Sequence, residues 1–317
     1  MKLLLKIKFI ALVIALTGCN TQSSKSVFDR SFEPQLIASN STLAEGPAVD
    51  PEGNIYFSDQ AGNKVSKIDT AGNVSVFLHP AGVTNGIAFD NKGKMLLCQS
   101  GADNYPQDPS AALRRIIRVE NKDSVTVLAN LYNGKRFIAP NDICVDKKGR
   151  IYFTDPYYGK PQTEKSQPVS GVYRIDPSGE VALIISDLQR PNGILITPDQ
   201  SKLYVSDRGT QQLHQYDLSA DGEVSNDKVI YDFSPDRGID GMCMDQTGLI
   251  YGAAGEKETT GVYVIDPIKG EKIDYFQMPE TAFNVAFTGK NSDELIVASG
   301  GNVFKIKTVN KGIVLPH

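Results

Sequence analysis

Asn141-Asp-Ile-Cys-Val-Asp146, a Lys-Lys-Gly-Arg turn and then Ile151-Tyr-Phe-Thr-Asp155 form the stretch on which the fold is read. A polar residue opens an apolar run, a glycine-bearing turn reverses the chain, and a second β-branched and aromatic run ends on an aspartate. Short runs of this kind, bounded by turn residues, are hairpin strands. The pattern recurs outward in both directions. Upstream lie Glu45-Gly-Pro-Ala-Val-Asp50 with Ile55-Tyr-Phe-Ser-Asp59, and Asn85-Gly-Ile-Ala-Phe-Asp90 with Met95-Leu-Leu-Cys-Gln99. Downstream are Asn192-Gly-Ile-Leu-Ile-Thr197 with Leu203-Tyr-Val-Ser-Asp207, Asp240-Gly-Met-Cys-Met-Asp245 with Ile250-Tyr-Gly-Ala-Ala254, and Asn284-Val-Ala-Phe287 with Leu295-Ile-Val-Ala-Ser299. Successive copies start 40, 56, 51, 48 and 44 residues apart, a spacing that suits one propeller blade each.

Further runs complete each unit. Gly171-Val-Tyr-Arg-Ile-Asp176 and Gly261-Val-Tyr-Val-Ile-Asp266 read as third strands, and Val74-Ser-Val-Phe-Leu78, Val125-Thr-Val-Leu128 and Val181-Ala-Leu-Ile-Ile185 as fourth strands. Long stretches of helical periodicity are missing, which argues against a helical solenoid. The expectation is an all-β protein, a six-bladed β-propeller of four-stranded blades around a central channel.

The 317 residues include 33 Lys plus Arg against 37 Asp plus Glu, with 40% hydrophobic residues and no Trp. This is the composition of a folded protein and not of a disordered chain. The acidic balance sets aside a basic nucleic-acid binder.

Lys2, Lys6 and Lys8 precede an apolar stretch too short to span a bilayer, and Leu16-Thr-Gly-Cys19 follows. This reads as a secretory signal. The tetrad resembles the lipobox of bacterial lipoproteins, which implies cleavage before Cys19 and a lipid on it. The expected organisation is a signal peptide over residues 1–18, a polar tether over 19–29 and one propeller domain over 30–317. The protein would be a monomer in the bacterial cell envelope, touching membrane only through its lipid. Removal of the signal leaves 30 basic against 37 acidic residues. Cys98, Cys144 and Cys243 sit in apolar runs at wide spacing, the pattern of small buried hydrophobes and not of a disulfide framework.

In a propeller the innermost strands line the channel, so the residues opening each copy converge on one face. Glu45, Asn85, Asn141, Asn192, Asp240 and Asn284 would form that ring, all oxygen donors and none a cation. Buried acceptors gathered in this way are costly unless a cation joins them. Oxygen-only ligation suits Ca²⁺, with Mg²⁺ or Mn²⁺ possible, and does not suit zinc held by nitrogen or sulfur. Asp59, Asp155 and Asp207 end second strands on the same face, where they would approach the ring or cap neighbouring loops.

Asn133-Gly-Lys-Arg136, Ala139-Pro-Asn-Asp142 and Phe153-Thr-Asp-Pro-Tyr-Tyr-Gly159 resemble segments of bacterial gluconolactonases in the senescence-marker-protein/gluconolactonase/LRE-like family. Glu45-Gly-Pro47, Thr84-Asn-Gly86, Pro191-Asn-Gly193, Asp240-Gly-Met242 and Asn284-Val-Ala-Phe287 follow the order of that family. The resemblance implies a six-bladed propeller with one divalent cation, usually calcium, in its channel. It implies Glu45, Asn192 and Asp240 as metal ligands, with Asn141 a fourth ligand or a substrate contact, and Asp240 as the proton-transferring carboxylate. Asn85, Asn141, Asp155 and Asp207 are the expected substrate contacts. The implied reaction is hydrolytic opening of a small-molecule lactone, with a sugar lactone as the expected substrate. A phosphotriesterase-like hydrolase of the same fold and a non-enzymatic binding propeller are the alternatives.

Overall fold

The structure is a computed structural model that describes residues 26–101, 113–158 and 166–313. The expected signal peptide, Cys19 and most of the tether lie outside the described residues, as do the last four positions.

Six four-stranded antiparallel sheets are the blades. The first holds Ala44–Val49, Ile55–Asp59, Lys64–Ile68 and Val74–Leu78, from the axis outward. The second holds Thr84–Phe89, Met95–Gln99, Arg115–Asn121 and Ser124–Ala129. The third holds Ile143–Val145, Ile151–Asp155, Gly171–Ile175 and Val181–Ile185. Pro191–Ile196, Lys202–Asp207, Gln212–Leu218 and Val224–Asp232 make the fourth. Met242–Met244, Ile250–Ala254, Gly261–Asp266 and Glu271–Gln277 make the fifth. Innermost strands of successive blades touch all the way round, the sixth meeting the first.

The sixth blade closes the ring with two ends of the chain. Ala282–Thr288, Glu294–Ser299 and Asn302–Lys307 supply its inner strands, and Gln35–Ala38 pairs antiparallel with Asn302–Lys307 as its outer strand. Opening such a propeller therefore breaks hydrogen bonds between segments far apart in sequence. The segment before that strand is fastened as well. Asp274 accepts from Ser26 Oγ at 2.7 Å and Val27 N at 2.9 Å, and it pairs with Arg30 at 2.5 Å. Phe28 is buried between Tyr251 and Phe276, at ring distances of 5.8 and 5.2 Å.

Apolar clusters fill the spaces between and within blades. In the third blade Phe153 stacks on Tyr173 at 5.4 Å while Phe137 meets both edge-on. Each such side chain contributes about 1.5–3 kcal/mol by leaving water. Cys98 and Cys144 are buried and Cys243 is half-buried, all three as free thiols.

Phe28→Ala should destabilise the protein by about 3–5 kcal/mol through the cavity it leaves. Urea unfolding is the check. A loss below 1 kcal/mol would show that the N-terminal segment is not integral to the closure.

Candidate functional site

Each inner strand begins with an irregularity, and that irregularity aims its first polar residue at the axis. One extra residue is inserted between Glu45 and Ala48, Thr84 and Ile87, Pro191 and Ile194, and Ala282 and Asn284 relative to the paired strand. In the third blade Asn141 and Asp142 both face Thr154, and in the fifth Asp240 and Gly241 both face Ala253, by their backbone hydrogen bonds. A β-bulge of this kind re-aims a side chain out of the regular alternation.

The glycine after three of the opening residues has a packing reason. A Cβ on Gly46 would lie 2.2 Å from Asn85 O, on Gly86 2.6 Å from Asn141 O, and on Gly193 2.4 Å from Asp240 O. The second, third and fifth blades thus rest their opening carbonyls against the bare Cα of the blade before them. Asn-Gly and Asp-Gly act here at blade seams within strands. Ser58 Oγ to Asn85 O and Thr154 Oγ1 to Asn192 O, both 2.8 Å, tie seams in the same layer.

The sixth copy departs from the sequence expectation. Gly241 N donates to Phe283 O at 2.8 Å, as Gly86 N donates to Asn141 O at 2.7 Å. Phe283 therefore occupies the ring position of the sixth blade, and Asn284 falls one residue lower, level with Asp142. Asp142 Oδ1 accepts from Ile143 N at 3.0 Å, and Asn284 Oδ1 accepts from Val285 N at 2.8 Å, in the same local geometry. The upper ring is Glu45, Asn85, Asn141, Asn192, Asp240 and Phe283. Asp142 and Asn284 form a polar shelf beneath it, at the top of a cavity of about 150 Å³. That cavity is otherwise mainly apolar, lined by Ile87, Ile143, Ile194, Met242 and Val285, with Ile313 among its walls.

The ring residues other than Phe283 are all buried. Burial, and then the negative charge of Asp240, push the Glu45 carboxyl up to about 8; Asp142 adds to this, while Gly46 N and the Asn284 side chain oppose it. Burial raises Asp142 to about 7 against the amide hydrogen bonds of Ile143 and Ile194. The carboxyls of Glu45, Asp142 and Asp240 thus act on one another.

Sequence reading did not assign three neighbours of the ring. Arg208 and Arg237 each donate to Asp240 Oδ2 at 2.9 Å, so two cations border a ring whose own six positions hold none. Arg237 is buried and also donates to Gly255 O at 2.8 Å and to Ala282 O. Tyr158 places its hydroxyl 2.8 Å from Asn192 Nδ2 and 3.1 Å from Asn141 Nδ2. Tyr158 lies within the quoted Phe153–Gly159 motif, but neither its type nor its spacing signalled this role. Arg208 follows Asp207, whose place at the mouth the sequence reading already gave, but the direction of its side chain toward Asp240 was not readable there.

The strand-ending aspartates hold loops. Asp59 accepts backbone amides of Thr42, Leu43 and Gly62, Asp155 those of Ile138 and Ala139, and Asp207 those of Gln189, Arg190 and Gly209. The loops so held lead directly into Glu45, Asn141 and Asn192. Burial raises Asp155 to about 7, opposed by those two amides and by Arg114.

Glu45, Asn141, Asn192 and Asp240 fit a hard cation by donor type and by the mutual repulsion of their carboxylates. Among the described residues no group of three or more His, Cys, Asp or Glu side chains has metal-site geometry, so ligation depends on the amides. Both Asn141 and Asn192 turn nitrogen toward Tyr158, and rotating either amide end for end would present oxygen.

Without a cation, stability should fall as pH rises. Glu45 is held above its ordinary value of 4.5 in the folded state, so the native form binds more protons than the unfolded chain from about pH 4.5 to 8. In chelator, the melting temperature should drop across that window, and Glu45→Gln should reduce the drop. An equal drop in the variant would assign the effect elsewhere.

Residues 43–301 match the SMP-30/Gluconolactonase/LRE-like region. The chain is 30% identical over 315 residues to a gluconolactonase of Zymomonas mobilis, covering 90% of this chain and 84% of that protein. A solved gluconolactonase structure from Xanthomonas campestris superposes with a TM-score of 0.78 at 27% identity, covering 89% of this chain and 91% of that one. Regucalcin of Agrobacterium tumefaciens shares the fold, with a TM-score of 0.70 at 21% identity, covering 90% of this chain and 97% of that one. With the ring, the seams and these likenesses together, the chain belongs to the SMP-30/gluconolactonase/LRE-like family.

Proposed function

We propose that the protein is a lactonase that opens a sugar lactone by hydrolysis with one divalent cation, calcium by donor type, held by Glu45, Asn141, Asn192 and Asp240. The observation that carries this reading is the convergence of two buried carboxylates and three buried amides on one axis, within a family whose Zymomonas mobilis relative is named a gluconolactonase. When bound, the cation supplies a positive charge for the oxyanion that develops on the lactone carbonyl.

The chain's own residues do the rest. Arg208 and Arg237 fix Asp240 by one oxygen, Oδ2. Its other oxygen, Oδ1, receives no hydrogen bond among the described residues and is the atom that accepts the proton of the attacking water. The water oxygen bonds to the carbonyl carbon, and the bond from that carbon to the ring oxygen then breaks. Asp240 returns the proton to that departing oxygen, so the product is the open hydroxy acid and one water is consumed. The Tyr158 hydroxyl and the Asn85, Asn141 and Asn192 amides offer donors and acceptors to the sugar hydroxyls. Asp155 and Asp207 act on the substrate indirectly, by holding the loops that carry Asn141 and Asn192.

Asp240→Asn keeps an acceptor for Arg237 and should lower kcat by about 10²–10⁴, with little loss of melting temperature. Glu45→Gln should weaken the response to added calcium. The assay is ring opening of glucono-1,5-lactone followed by pH indicator, with and without chelator. Full activity in excess chelator, or in both variants, would reject the mechanism. Turnover of a phosphotriester but of no lactone would reassign the reaction, and turnover of neither would favour a binding protein.

A further inference from the structure

We infer that the substrate carries an anionic group, carboxylate or phosphate, apart from its lactone ring, and that Arg190 and Arg208 bind it. This deepens the lactonase reading and rests on it for the identity of the ring.

The two arginines stand side by side at the top of the fourth blade, where Arg208 N donates to Arg190 O at 3.0 Å. Asp207 accepts Arg190 N at 2.7 Å, so the platform beneath them is fixed. The Arg190 guanidinium lies over the Tyr158 ring, 5.6 Å from its centroid, and that same tyrosine reaches the ring amides with its hydroxyl. Arg208 reaches Asp240 Oδ2 with a single terminal nitrogen. Both guanidiniums therefore border the place where substrate must lie.

Their hydrogen-bonding capacity is not filled. The Nε atoms of Arg190 and Arg208 are buried without a partner, and Arg190 forms no ion pair among the described residues. Arg237 differs, with Nε and both terminal nitrogens engaged by Gly255 O, Asp240 and Ala282 O. Arg237 alone suffices to offset Asp240. A second guanidinium on the same oxygen and a third on no carboxylate need another explanation. A guanidinium with vacant donors matches the planar oxygens of carboxylate and phosphate.

The arginines stand among acids, and their donors are only partly taken up. The ring and shelf carry Glu45, Asp142 and Asp240, and Glu256 acts on Arg208 and Arg237 from the rim. Arg190, Arg208 and Arg237 come close to balancing these acids before any cation enters. Asp207 beneath the two arginines adds one more acid, so it is the unfilled guanidinium donors, and not a net positive mouth, that call for an anion.

Three substrates separate the possibilities: neutral glucono-1,5-lactone, glucaro-1,4-lactone with its free carboxylate, and 6-phosphoglucono-1,5-lactone. At least one anionic lactone should show kcat/KM tenfold or more above the neutral one, and the better of the two identifies the anion. Arg190→Gln should reduce the anionic-to-neutral ratio at least tenfold, mainly through KM, and Arg208→Gln, which also loosens Asp240, should reduce that ratio at least tenfold while lowering kcat on every lactone. Calorimetry with gluconate and with doubly charged glucarate, in calcium and in chelator, gives a readout independent of turnover. Glucarate should bind more tightly, and the difference should vanish in Arg190→Gln. The inference is overturned if the neutral lactone is preferred or equal, or if the ratio survives both substitutions. Hydrolysis of no lactone would defeat the lactonase reading, and the glucarate-against-gluconate comparison would still decide whether this mouth selects anions.

Discussion

The close approach of neighbouring inner strands governs the site. Because Gly46, Gly86 and Gly193 lack a side chain, the next blade's opening carbonyl comes within reach of their Cα atoms. That packing forces the opening residues into one layer around the axis, and the bulges turn their side chains inward. Ser58 and Thr154 then tie the carbonyls from below. Five of the six segments, spread over most of the chain, thereby put their first polar side chains in a single small volume. The scaffold that does this is rigid, since each blade is a four-stranded sheet and the last is closed by Gln35–Ala38.

Bringing acids together this way has an electrostatic cost, visible in the raised carboxyls of Glu45 and Asp142. The protein offsets part of it with its own cations. Arg237, buried and fully hydrogen-bonded, acts as a fixed counter-ion and orienter for Asp240. The repulsion that remains lies between Glu45 and its acidic neighbours Asp240 and Asp142. A hard cation would relieve it there. The mouth thus sets guanidiniums from the fourth and fifth blades beside ring oxygens that the first five blades supply.

Much of this was legible before any coordinates. Strands, blade count and five of six ring positions follow from repeated pairs such as Asn85-Gly86 and Ile151–Asp155, because sheet alternation and blade period are local properties of the chain. Asn284 was misplaced by one residue because the copy beginning there lacks the following glycine, and Asn-Val read as the equivalent of Asn-Gly. Only the seam bond from Gly241 to Phe283 reveals the offset. Asp142 was hidden for the converse reason, standing where other blades carry glycine. Arg208, Arg237 and Tyr158 reach the ring from loops, whose directions depend on tertiary contacts and have no periodic signature. The roles of Asp59, Asp155 and Asp207 as loop anchors were foreseeable from their position but could not be told apart from substrate contacts without the backbone partners.

The central claim is that one hard cation sits among the ring oxygens. Crystals grown in calcium, with anomalous data collected at long wavelength, test it directly. The account predicts one anomalous peak on the axis, about 2.3–2.6 Å from oxygens of Glu45, Asn192 and Asp240. A peak bound elsewhere, or ordered water alone between those three side chains at saturating calcium, would contradict it.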